Sequence, residues 1–209
     1  MPGGTTIGYE DQGLNAPWWI DVVPPVQLYA VLRHRLEGVI VPSGVLIIGV
    51  YGSGKSSVCE EIAEALESAG MPYGAIDLDW LGWYDVPGHR EGHDRRDPVA
   101  LANLSSVVDH YLSAGVEHFV LAGAVWSGLE LAALRSALPF PLRVVQLTLP
   151  YEEIEARLSS AVTTGRANDL QEAKRQSSQV SLDLGDVVVA NDRPIREVAD
   201  AILDWVNWR

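Results

Sequence analysis

The segment Gly49-Val50-Tyr51-Gly52-Ser53-Gly54-Lys55-Ser56 constrains the chain most. It fits G-x-x-x-x-G-K-[ST], the loop that cradles phosphates between a strand and a helix. The flanks agree with that setting. Val45-Leu46-Ile47-Ile48 is a short apolar run, as a buried parallel strand requires, and Val58, Ile62 and Leu66 recur every four residues up to Gly70. Glycine tolerates the backbone angles that turn successive N–H groups of Gly52 to Ser56 inward, and the helix N-terminus adds a favourable dipole. Lys55 would reach the β- and γ-phosphates, and the Ser56 hydroxyl would complete a Mg²⁺ shell. The nucleotide-binding set is Gly52, Ser53, Gly54, Lys55, Ser56 and Ser57, and the ligand implied is a nucleoside triphosphate.

The rest of the chain alternates strand and helix. Strands are expected at 44–50, 72–79, 118–122, 142–149 and 186–190. A helix at 54–69 follows the first. Asp97-Pro98 caps a second with Leu101, Leu104, Val108 and Leu112 on one face, and Gly115 stops it. Ser127-Gly128-Leu129-Glu130 is a capping box for a third. Ile154, Arg157 and Leu158 lie on a fourth, which breaks at Thr163-Thr164-Gly165-Arg166 and resumes over 169–182. Asn191-Asp192-Arg193-Pro194 caps the last, with its stripe at Ile195, Val198, Ile202 and Trp205. Alternation of this kind means α/β architecture, a parallel sheet with right-handed crossovers. A single α/β domain is expected over 44–209. Residues 1–43 form an extension: a loose arm, an aromatic patch at Pro17 to Asp21 and a short helix from Val26 to Leu36. That segment covers a sheet edge, walls a substrate pocket or makes a homodimer contact.

In open α/β sheets ligands gather beyond the carboxyl ends of the strands. Asp77 and Asp79 end the second strand, and a period of two puts both carboxylates on one face. One can hold Mg²⁺ and the other can orient an attacking hydroxyl. The third strand ends in Phe119-Val120-Leu121-Ala122-Gly123 without a carboxylate, so metal support falls to Ser56 and Asp77. Gly123 would let substrate approach closely. Residues 80–96 hold Trp80, Trp83, Tyr84, His89, Arg90, His93, Arg95 and Arg96, which suits aromatic stacking and recognition of a polar or anionic group.

Together the phosphate loop, the D-x-D pair, Arg157, Arg166 and the Asn-Asp-x-Pro turn resemble the P-loop small-molecule kinases of the nucleoside-monophosphate-kinase fold, such as shikimate, gluconate and adenylylsulfate kinases. The resemblance spans 44–208. It implies a three-layer fold with a five-stranded sheet ordered 2-3-1-4-5, ATP as donor, and a mobile lid. It further implies that Arg157 and Arg166 clamp the transferred phosphoryl group, that Asn191, Arg193 and Pro194 border the adenine, and that Asp77 serves Mg²⁺ while Asp79 serves the acceptor hydroxyl. Residues 1–43 and 80–96 depart from the small kinases, so the acceptor does not carry over.

Composition narrows the partners. Of 209 residues 47% are hydrophobic and 21% charged, a globular balance. A net charge of −13 disfavours nucleic acid and anionic membranes as general partners. The single Cys59 excludes an internal disulfide framework and fits a reducing cytoplasm. No signal peptide or membrane span is expected. A GTPase is a competing reading, because Asp79-Trp80-Leu81-Gly82 matches D-x-x-G, but no N-K-x-D segment exists to read guanine. The other competitor is a nucleotide-sensing binding module with no small-molecule acceptor.

Overall fold

The computed structural model describes residues 41–84, 96–159, 173–175 and 184–209. Five strands alternate with helices: β1 (Ser43–Ile48), α1 (Lys55–Ser68), β2 (Tyr73–Asp77), α2 (Leu78–Leu81), α3 (Pro98–Ser113), β3 (His118–Ala122), α4 (Gly128–Ala137), β4 (Leu142–Thr148), α5 (Tyr151–Ser159), β5 (Val187–Ala190) and α6 (Ile195–Val206). All strand pairs are parallel and the order is β2-β3-β1-β4-β5. This is the expected 2-3-1-4-5 sheet. The expected extension lies outside the described residues except for 41–43, and β1 opens one residue early, at Ser43.

The central strand shows why its sequence is apolar throughout. Val45 and Ile47 join α1 and α6 through Val58, Ile62, Leu66, Val198 and Ile202. Leu46 and Ile48 face the other way, onto Leu104 and Val108 of α3 and Leu131 and Leu134 of α4. Alternate side chains leave opposite sheet faces, so a strand covered by helices on both sides needs no polar residue. Each of these strand residues is 2% exposed or less. At about 25 cal/mol per Å² of buried apolar area, this two-sided core is the main stabilising term.

Local signals fix the helix starts. The Asp97 carboxylate accepts from Val99 N (2.7 Å) and Ala100 N (3.4 Å), with Pro98 at the first helical position. Ser127 and Glu130 form the expected capping box on α4. The last helix differs from expectation. Pro194 occupies its N-cap without a side-chain bond, so the Asn191 amide is not used there. The second strand also ends earlier than expected. After Asp77 the backbone turns into α2, because the Asp77 carboxylate caps it by accepting from Asp79 N at 2.9 Å. Asp77 and Asp79 are therefore a cap and a first-turn residue, not two positions on one strand face.

Register sets the level of the site. Asp77 and Ile47 both pair with Ala122, while Thr148 pairs with Ala190, so the carboxyl ends of the strands form one rim. The phosphate loop rises from that rim directly after β1.

Candidate active site

The loop between β1 and α1 owes its shape to glycines. Gly52 (φ 78°) and Gly54 (φ 93°) occupy the left-handed region, where side chains with a Cβ are strained. The loop closes on itself through Ser53 N donating to Val50 O at 3.2 Å. The Ser53 N–H thus serves the turn. The Ser53 side chain is fully buried, and its Oγ makes no hydrogen bond.

Lys55 begins α1 and is 8% exposed. Its Nζ donates to Val50 O at 3.1 Å and lies 5.9 Å from the centre of the Tyr51 ring. The ammonium is thus folded back over the loop. Ser56 follows on the exposed side of the helix, and its Oγ donates to Asp77 Oδ2 at 3.0 Å. Asp77 thereby joins α1 to the end of β2 and also caps α2. Ser57 is exposed.

Beyond Asp77 the rim turns aromatic. Asp79 and Trp80 are exposed on α2. Trp80 and Trp83 are 69% and 74% exposed, with ring centres 4.9 Å apart and planes tilted by 34°. Such exposure stands out, because large aromatic side chains are on average highly buried. Tyr84 is tied down: its hydroxyl donates to Asp97 Oδ2 at 2.8 Å. That bond to the carboxylate, more than the partial burial, pushes the phenol's pKa up. Asn103 Nδ2 donates to Leu81 O at 2.8 Å, fastening the far end of α2 to α3. Arg96 is exposed, whereas His89, Arg90, His93 and Arg95 lie outside the described residues.

Gly123 is buried at the end of β3, and its N–H continues the ladder to Ile47 O at 3.1 Å. Past it, Glu130 carries more than the capping box. Its Oε2 accepts from Trp126 N at 2.7 Å as well as from Ser127 N at 3.0 Å, holding the segment after β3 from within. The box was legible in the sequence; the further bond to Trp126 was not.

On the opposite side of the loop, Arg157 Nη2 donates to Asn191 O at 3.0 Å, and Asn191 Nδ2 donates to Ser53 O at 2.7 Å. The structure therefore gathers Arg157, Asn191 and the phosphate loop, three of the features that the resemblance implied. Arg193 and Pro194 are exposed beside them. Arg166 and the expected lid break fall outside the described residues. Cys59, on the buried face of α1, has its thiol pKa pushed up to about 12, first by burial and then by the charges of Asp77 and Glu60.

Among the described residues no cluster of three or more His, Cys, Asp or Glu side chains could hold a metal, and no helix is long and apolar enough to cross a membrane. The Ser56–Asp77 pair still fits Mg²⁺. That ion takes hard oxygen donors and is commonly bound through one or two carboxylates together with substrate phosphates, not by an all-protein cage.

No protein-family model and no curated protein matches the sequence. Solved structures do match. A sugar kinase from Janibacter sp. HTCC2649 superposes with a TM-score of 0.58 at 19% identity, covering 79% of this chain and 95% of that one. A gluconokinase from Sinorhizobium meliloti 1021 gives 0.57 at 25% identity over 80% and 93%. The APS kinase CysC of Mycobacterium tuberculosis, solved with AMPPNP and APS, gives 0.57 at 23% identity over 80% and 98%. With the sheet order, the glycine loop and its lysine already in place, these likenesses give the chain the fold of the P-loop small-molecule kinases.

Proposed function

We propose that the protein is an ATP-dependent phosphotransferase that moves the γ-phosphoryl group to a hydroxyl of a small metabolite or natural product. The observation that carries this reading is the 3.0 Å bond between Ser56 Oγ and Asp77 Oδ2, at the head of the helix that Lys55 begins. It puts two oxygen ligands of the kind Mg²⁺ takes beside a lysine poised over a glycine loop, with a second carboxylate, Asp79, two residues on. The similarity to a sugar kinase, a gluconokinase and an APS kinase supports the same class of reaction.

Each group then has a task. The N–H groups of the loop and of the α1 N-terminus bind the phosphates. Lys55 leaves the Val50 carbonyl for the β- and γ-phosphate oxygens, a short swing because its ammonium already lies over the loop. Ser56 and Asp77 would hold Mg²⁺, which supplies positive charge against the phosphate oxygens. Asp79 accepts a hydrogen bond from the acceptor hydroxyl and aims its oxygen at the γ-phosphorus. Such transfer asks for alignment and charge neutralisation more than covalent chemistry. Arg157, joined by Arg166, stabilises charge on the transferred group. Trp80 and Trp83 offer the acceptor an apolar face to lie against, and Gly123 keeps the floor of the site low. Arg90, Arg95 and Arg96 meet an anionic substituent of the acceptor.

The test is ADP release across a panel of sugars, polyols, hydroxy acids and nucleosides. The proposal expects release that requires one acceptor class and Mg²⁺. ATP binding with no turnover on any acceptor would favour a nucleotide-sensing module; GTP hydrolysis without an acceptor would favour a GTPase.

A further inference from the structure

Asn191 is the first residue after β5, 138 positions along the chain from Ser53, yet it touches the phosphate loop. Its main-chain N–H donates to Thr148 O at 2.9 Å, which fixes its backbone to the end of β4. Its side chain is almost fully buried, with Nδ2 donating to Ser53 O at 2.7 Å. Its own carbonyl receives Arg157 Nη2 at 3.0 Å. One residue thus links the sheet, the phosphate loop and α5.

The consequence follows from the geometry of the peptide bond. Ser53 C=O and Gly54 N–H belong to one peptide unit, and the described chain contains no cis bond. In a trans peptide these two groups point in opposite directions. Holding the Ser53 carbonyl on the Asn191 amide therefore turns the Gly54 N–H to the other side of the loop. A flipped unit would present a carbonyl oxygen there, replacing a donor by an acceptor that repels phosphate. We propose that Asn191 is a positioning residue that locks the Ser53–Gly54 peptide so that its N–H faces the phosphate site. This proposal rests on the reading of the loop as that site.

Two details point the same way. A Cβ at Gly54 would stand 2.4 Å from Asn191 Nδ2, so glycine is required for the amide to reach its carbonyl as much as for φ 93°. The amide also cannot be exchanged for a carboxylate. An aspartate there would set an oxygen against the Ser53 carbonyl and add negative charge beside the loop.

The experiment compares Asn191→Asp and Asn191→Ala with the wild type in two measurements. Amide hydrogen exchange of the ligand-free proteins reads the loop itself; calorimetry with inorganic tripolyphosphate reads its anion binding. The account expects the Ser53 amide, held on Val50 O within the loop, to exchange about tenfold faster or more in both variants, the scale of one lost hydrogen bond, while β1, β4 and α6 exchange as in the wild type. Tripolyphosphate affinity should fall by at least about tenfold, further for Asp than for Ala. Unchanged loop exchange in a folded variant, or affinity within twofold of the wild type, would overturn the proposal. Loss of the fold in both variants would overturn it too, by making Asn191 a stability residue. A wild type that ignores tripolyphosphate would defeat the reading of the loop instead, and the exchange measurement, which needs no ligand, would still decide the role of Asn191.

Discussion

Replacing Lys55 by methionine separates catalysis from folding more cleanly than any other change in the site. The ammonium donates to Val50 O, and that carbonyl also accepts from Ser53 N at 3.2 Å. Removing the charge therefore leaves the Val50 carbonyl with a donor, and methionine keeps an apolar stem of similar length. The cost to folding should stay within about 1 kcal/mol, the net worth of one hydrogen bond, or roughly 2–4 °C in Tm for a domain of this size. The transition state loses far more. A preorganised charge aimed at developing phosphate charge is worth about 3 kcal/mol or more, and at 1.36 kcal/mol per tenfold this is at least about 10²-fold in rate. Thermal unfolding and ADP release on the same Lys55→Met preparation measure both quantities. Turnover within a few-fold of wild type in a folded variant would refute the phosphate role of Lys55. A Tm lowered by 10 °C or more would refute the claim that the lysine is structurally idle.

Further outcomes can be checked in parallel. Asp77→Asn should raise the Mg²⁺ concentration needed for half-maximal rate, because Asp77 shares its carboxylate with Ser56; an unchanged Mg²⁺ dependence would contradict that role. Asp79→Asn should bind Mg·ATP normally in calorimetry yet lose about 10²- to 10⁴-fold in rate, and full activity would reassign the acid. Ser53→Ala should be neutral or stabilising in thermal unfolding, since it removes a buried hydroxyl that makes no hydrogen bond, a burden of about 1–3 kcal/mol; clear destabilisation would mean that the hydroxyl has a partner. Cys59 bears on pH. Its pKa rises from 9.0 to about 12 in the fold, so its stabilising contribution is complete below pH 9 and is lost as pH rises from 9 towards 12. Denaturant titrations should show a shallower alkaline decline for Cys59→Ala than for wild type, and identical slopes would mean that the thiol is not shielded.

The strands and the phosphate loop were legible because their signals are local or two-sided, whereas the sheet order came only with the resemblance to the small-molecule kinases. A strand buried on both faces reads as an apolar run, and Val45 to Ile48 could hardly be anything else. The caps at Asp97 and Ser127 were equally readable, because side chain and N–H partner lie within three residues. The end of β2 misled for a physical reason. Ile76-Asp77-Leu78-Asp79 alternates as a strand does, but an aspartate also competes for the backbone by capping, and that local bond won. The last turn misled in a different way. Asn191 has the right chemistry and spacing for a helix cap, and nothing near it in sequence reveals that its amide is taken by Ser53. Trp126, held by Glu130, escaped for the same reason: a backbone bond to a buried carboxylate leaves no periodicity.

The central claim is transfer to a small-molecule hydroxyl, and the most direct measurement follows the γ-phosphoryl group itself. ATP labelled in that group, incubated with the protein, Mg²⁺ and pooled hydroxylated metabolites, gives products that mass spectrometry can sort. The account predicts label in a phosphorylated small molecule, lost with Lys55→Met. Label found only in inorganic phosphate, or retained entirely in ATP by a protein that binds it, would contradict the account.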